Sequence, residues 1–160
     1  MCFFKKKLKA KEVYDYCEKM MMNWNMAGYP KASERNAQNF SKPRNSFTKA
    51  MVSYTVWTKY DNLDLDYHCY YDVKKKEMSA TVSFKDYAIV DQTAKKVIDG
   101  MFPKFTVNFW NKNTDLYKRP QKCESMADVE AFMKTWFDDF NASGAIQFFA
   151  DLKRDQLKRR

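Results

Sequence analysis

The chain has 160 residues, with 27 aromatics but only 3 Gly, 4 Cys and 1 His, and its 29 basic against 20 acidic side chains give a net charge of +9. Three isolated glycines, Gly28, Gly100 and Gly144, exclude the glycine-rich turns that cradle a phosphate or a dinucleotide, because those turns need backbone without Cβ against the ligand. One histidine excludes zinc centres built on several histidines, so neither a cofactor nor a metal is expected.

Cys2, Cys17, Cys69 and Cys123 lack the spacing of a disulfide framework or a zinc knuckle. They read as reduced thiols of a cytoplasmic protein. No apolar run is long enough for a transmembrane span, and contact with a membrane surface is not expected. The length fits a single domain over 1–160 with an aromatic and methionine-rich core. Basic excess is uneven: residues 1–50 carry +7, 51–100 carry −1 and 101–160 carry +3. A basic N-terminal arm covers 1–8.

In chain order, Val13, Cys17, Met20, Met21 and Trp24 form one apolar stripe of a helix from about Lys9 to Met26, ended by Gly28 and Pro30. Residues 29–47 have no periodicity and read as a long basic loop carrying Lys31, Arg35, Lys42 and Arg44; loops of such length tend to be functional. Residues 50–58, 63–73 and 78–86 alternate as three strands. A turn at Asp61-Asn62 sets Val56 opposite Tyr67, Tyr54 opposite Cys69 and Val52 opposite Tyr71. A second turn near Lys74-Lys75 sets Tyr71 against Met78, Tyr67 against Val82 and Leu65 against Phe84.

Asp91 caps a short helix with Ala94, Val97, Ile98 and Met101 on one face, closing near Gly100. A fourth strand is expected at 104–110. Residues 111–124 read as a polar loop with Lys112, Lys118, Arg119 and Lys122. Ser125 and Asp128 form a capping box for a helix whose stripe is Val129, Phe132, Met133, Trp136, Phe137 and Phe140. A last helix with Ile146, Phe149 and Leu152 runs into a basic tail over 153–160, with Lys153, Arg154, Lys158, Arg159 and Arg160.

The order α-β-β-β-α-β-α-α implies an α+β fold, a mostly antiparallel sheet of three to four strands with helices on one face. Its first five elements resemble in order a double-stranded-RNA-binding domain. The matching helix opens Asp91-Gln-Thr-Ala-Lys-Lys instead of that family's Gly-Ser-Lys-Lys-type start, so the resemblance is one of topology.

Two constellations could carry chemistry. Asp64, Asp66, His68, Tyr70 and Asp72 share one face of the second strand. Two carboxylates and an imidazole suit a divalent metal or acid–base work, but side chains on a strand project in parallel, about 6.5–7 Å apart. The plain reading is a polar face on which Lys59, Asp64 and Lys85 form ion pairs and Thr55, His68 and Thr81 a row, with Trp57 as a binding aromatic. The second constellation is the interleaving of cations with aromatics in 29–47 and in Trp110, Lys112, Tyr117, Lys118, Arg119 and Lys122, which suits phosphates and unpaired bases.

The expectation is a non-catalytic, small basic interaction protein whose partner is a large anion, with nucleic acid ahead. An acidic or nucleic-acid-binding protein comes next, as for an inhibitor or an immunity or anti-defence protein acting on a nucleic-acid enzyme. A metal-dependent hydrolase or nuclease using Asp64, Asp66 and His68 is third. The sequence leaves the oligomeric state open.

Overall fold

A computed structural model of the chain describes residues 8–24, 37–40, 49–57, 65–85, 92–110 and 112–158. Their order is α1 (Ala10–Asn23), β1 (Ala37–Phe40), β2 (Lys49–Trp57), β3 (Leu65–Asp72), β4 (Glu77–Phe84), α2 (Gln92–Met101), β5 (Thr106–Trp110), β6 (Asn113–Lys122), α3 (Met126–Ser143) and α4 (Ala145–Lys158). The strands make one antiparallel sheet of six, ordered β1-β2-β3-β4-β6-β5. The α+β fold expected from the sequence is present, with a wider sheet than the three to four strands foreseen.

The β3–β4 register is the expected one: Leu65 opposes Phe84, Tyr67 opposes Val82 and Tyr71 opposes Met78. The β2–β3 register is two residues away from expectation, with Val56 opposite Leu65, Tyr54 opposite Tyr67 and Val52 opposite Cys69. Alternation fixes which face a residue occupies, and a shift of two keeps every face. It cannot choose between apolar partners of similar size. The Asp61-Asn62 turn lies outside the described residues.

Both extra strands come from segments expected to be loops. β1 lies within 29–47, and β6 fills most of 111–124. On the core side β6 offers Thr114, Leu116 and Lys118, opposite Phe84, Val82 and Ala80, so only one of three positions is apolar. Pro120 weakens the strand pattern further, since proline has no N–H for the ladder. The sheet accommodates it by a register shift between Met78 and Ala80.

The four helices lie on one face of the sheet. α3 and α4 contribute the aromatic layer: Phe84 stacks on Phe149 at 4.1 Å, Phe102 meets Phe149 at 6.1 Å and Phe105 meets Phe140 at 6.4 Å. α1 buries Val13, Cys17 and Met21 and leaves the helix at Trp24, before Gly28. Trp24 is itself buried, edge-on to Trp136 at 4.9 Å, and this packing ends the helix early.

The face of α2 differs from expectation. Ile98 is buried, but Val97 and Met101 are 57% and 43% exposed; the helix closes at Met101, next to Gly100 as expected. The next core position is Phe102, four residues after Ile98, so the helix turns its Ile98–Phe102 edge inward. Ser125 Oγ accepts from the Asp128 amide at 3.2 Å, and the Asp128 carboxylate accepts from the Glu124 amide at 2.9 Å, so the expected cap opens α3. Gly144 closes it in the left-handed region, at φ 68. No helix among the described residues is long and apolar enough to cross a membrane.

Phe149 touches Phe84, Phe102 and Phe148 and is fully buried. Phe149→Ala is expected to cost about 3–5 kcal/mol in urea unfolding. A loss under about 1 kcal/mol would mean α4 does not pack as described.

Candidate anion-binding surface

The turn between β3 and β4 carries three consecutive lysines, all exposed. Its shape is fixed from both sides. Asp72 Oδ1 accepts from the Lys74 amide at 2.9 Å and the Lys75 amide at 3.1 Å, an aspartate turn of the usual kind. From β6, the Cys123 amide donates to Lys76 O at 2.8 Å and Lys122 Nζ donates to Lys75 O at 2.7 Å. Tyr71 Oη adds a third tie, donating to Cys123 O at 3.1 Å. Lys76 sits at φ 53, where L-residues lose roughly 1–2 kcal/mol and glycine is the ordinary occupant.

Next to this turn, Lys118 and Arg119 face opposite sides of the sheet, as neighbours on a strand do: Arg119 lies with Tyr117 and Thr106 on the polar face, and Lys118 with Leu116 on the helix face. Both residues border a cleft of about 380 Å³ at the end of the β5–β6 pairing, with Pro103, Lys104 and Phe105 on its other side and Pro120 beside them.

Each of the three cleft cations is held by a neighbour. Lys118 Nζ lies 5.1 Å from the centre of the Phe132 ring. Arg119 Nε donates to Thr106 Oγ1 at 3.1 Å, and Lys104 Nζ pairs with Asp139 at 3.2 Å.

Together Lys74, Lys75, Lys76, Lys122, Lys118 and Arg119 form a basic strip at one end of the sheet. None of the six forms an ion pair among the described residues. The described residues hold 19 basic and 15 acidic side chains, so the body is only mildly basic. A polyanion would therefore respond to this local cluster more than to a general field.

Of the cations the sequence pointed to, Lys118, Arg119 and Lys122 are brought together. Lys112 is not: it adjoins Trp110 at the far turn of the β5–β6 hairpin, six residues and about 20 Å from Lys118. Trp110 is 65% exposed there. Arg154 pairs with Asp151 along α4, which continues to Lys158, so 153–158 is helix and not tail. Lys31, Arg35, Lys42, Arg44, Arg159 and Arg160 lie outside the described residues, and Trp57 is described only as a backbone position in β2. Lys74, Lys75, Lys76 and Lys104 were missed. Three lysines in a turn look like a solvated tip, and their proximity to Lys122 depends on the β4–β6 pairing, far apart in sequence.

The carboxylate–histidine ladder resolves differently. Asp64 lies outside the described residues. Asp66 pairs with Lys85 at 2.9 Å, and His68 Nε2 is 3.9 Å from it; the expected row of Lys59, Asp64 and Lys85 involves two residues outside the described ones. His68 stands between Ser53 and Thr81, the two-residue register change having replaced Thr55. Ser83 Oγ donates to Asp115.

Among the described residues no three metal-ligating side chains come together. Asp66 and Ser83 are both 8% exposed, so the middle of this polar face is a packed network and not a freely solvated surface. Burial lowers the His68 pKa and Lys85 adds to that, against the opposing pull of Asp66 and Asp115. Cys123, which the sequence placed in a loop, is wholly buried, and burial pushes its thiol up to about 11, so it is no nucleophile.

No protein-family model, curated protein or solved structure matches the chain.

Two measurements check this geometry. Lys76→Gly relieves the left-handed strain, less the entropy glycine adds to the unfolded chain, and should stabilise by about 0.5–1 kcal/mol; a loss of stability would contradict the turn. His68 has a lowered pKa when folded, so the unfolded chain binds the extra proton first. Its contribution to stability is full above the ordinary value of 6.5 and is lost as pH falls through the lowered one. His68→Gln should flatten unfolding free energy between about pH 7 and pH 5, and an unchanged slope would place His68 in water.

Proposed function

We propose that this protein is a non-catalytic binder of a large polyanion, with nucleic acid as the partner. The observation that supports the reading is the basic strip: six cations free of ion pairs among the described residues, three of them on a turn whose backbone is tied down by Asp72, Lys122 and Cys123. A turn already fixed in position has less backbone freedom to lose when a phosphate arrives. Side-chain cations are also the means left to a chain without glycine-rich phosphate loops. Phosphate contacts of this kind give affinity without sequence information, so the reading is of a backbone binder.

The Asp66–Lys85 and Ser83–Asp115 contacts favour a structural use of the polar face over hydrolysis. The middle of the sheet is acidic at Asp66 and Asp115, which favours approach of a phosphate backbone from the lysine end.

Fluorescence anisotropy against salt tests the reading. Each phosphate neutralised on a single strand contributes about 0.7 to the slope of log K against log salt. Replacing Lys74, Lys75 and Lys122 by Gln should flatten that slope by about 2. Absence of binding to both single and double strands at low salt rejects nucleic acid, and retention of one protein from the host extract after nuclease treatment would put an acidic protein in its place.

A further inference from the structure

The sheet ends on β5, and among the described residues no strand pairs with its outer side. Natural edges are usually blunted by a charge, a proline or a bulge. The pairing of Thr106–Trp110 runs without a register shift, and the sequence from Phe105 to Asn111 holds no charge, proline or glycine. Rich in β-branched and aromatic residues, it is the kind of strand that accepts another.

The ladder decides which backbone groups the edge offers. Along an antiparallel pair, residues whose N–H and C=O reach the partner alternate with residues whose groups point away. The β5–β6 hairpin closes on Trp110 opposite Asn113 with two residues between them, and such a closing pair is hydrogen-bonded. Asn108 and Thr106 share that parity, so the N–H and C=O of Val107 and Phe109 point outward. In agreement, the Phe105 amide, of the same parity as Val107, donates to Phe102 O at 3.0 Å.

A second copy of β5 running the opposite way satisfies all four outward groups. Val107 of each copy then stands opposite Phe109 of the other, and the two-fold axis passes at Asn108. A two-fold contact uses the same patch on both copies and closes on itself. On the open face the facing pairs are the closer, non-hydrogen-bonded kind. Exposed Asn108 meets its own counterpart there, amide to amide. Trp110, 65% exposed, comes over Thr106 of the second copy, whose hydroxyl accepts from Arg119 Nε at 3.1 Å, so an indole meets a guanidinium.

Charge favours a copy of this chain over an acidic partner. The strand itself is uncharged, which gives an acidic segment nothing to pair with along it. The charges that flank it in sequence are Lys104 and Lys112. The register brings Lys112 of one copy toward Lys104 of the other, and Asp139 already neutralises Lys104 at 3.2 Å.

We propose that the protein forms a two-fold dimer by antiparallel pairing of β5 with β5 of a second copy, joining two six-stranded sheets into one. Four backbone hydrogen bonds and two indole contacts make a small interface, at the low end for specific association. The contact does not depend on the polyanion reading.

Sedimentation of the whole protein over a range of concentration tests it. A monomer is expected at about 2 µM and mostly dimer at about 500 µM, a Kd of tens of micromolar. Asn108→Lys sets two like charges on the axis and should leave a monomer at about 500 µM, while Trp110→Ala should weaken the dimer about tenfold. Met22→Gln, on the exposed face of α1, should change nothing. Register is read by crosslinking with diamide against the wild-type background. Asn108→Cys should link two copies, since facing residues of this kind stand about 4.5 Å apart at Cα. Thr106→Cys should not, being about 14 Å from its own counterpart. Thermal melting checks that each variant is folded.

A monomer at every concentration overturns the proposal, as does a dimer that survives Asn108→Lys. Equal crosslinking of the two cysteine variants overturns the register and with it the proposal. Species that keep growing beyond a dimer overturn it too, since they mean that β5 pairs with a different surface of the chain.

Discussion

The ladder between β4 and β6 is the constraint on which the rest depends. β6 enters the sheet between β4 and β5, after the chain has left β4 and made α2. On its core side Leu116 and Thr114 are wholly buried opposite Val82 and Phe84. This pairing carries β6 beside the β3–β4 turn, where Cys123 serves both the Lys76 carbonyl and the Tyr71 hydroxyl. Two residues later the Ser125 cap opens α3, so the same strand end sets the basic turn, the cleft and the start of the helical layer. Losing the ladder would take the basic turn and the core together.

Pro120 removes a donor from β6, and the ladder takes up an extra residue beside it, between the lysine turn and the cleft that Lys118 and Arg119 border from opposite faces of the sheet. Phe132, Thr106 and Asp139 then hold the cations in place. At the opposite end of the hairpin Trp110 and Lys112 present an aromatic and a cation without such support. Between the two ends lie Asp66 and Asp115, whose carboxylates are engaged by Lys85 and Ser83. The open face is therefore divided by charge.

Legibility in the sequence followed the range of the interactions. β3 and β4 were readable because apolar residues alternate without interruption and Asp72 sits where a tight lysine turn needs an acceptor. The Ser125–Asp128 cap and the Gly144 stop were readable because capping is decided within a few residues. β6 was not readable, since its core positions include Thr114 and a lysine, Lys118, whose ammonium lies over the Phe132 ring. The exposure of Val97 and Met101 depends on the angle at which α2 meets the sheet, which periodicity does not encode. The site was half legible: Lys118, Arg119 and Lys122 stood out as cations, but their union with Lys74–Lys76 and Lys104 exists only after the sheet is assembled.

The most direct measurement is a backbone amide NMR titration of the whole protein with a single-stranded oligonucleotide at low salt. The account predicts shift changes concentrated at residues 74–76, 104–105 and 118–122, with Trp110, Val97 and Met101 unmoved. Changes centred on the outer face of α2 or on the Asp66–Asp115 network, or no changes at all, would contradict it.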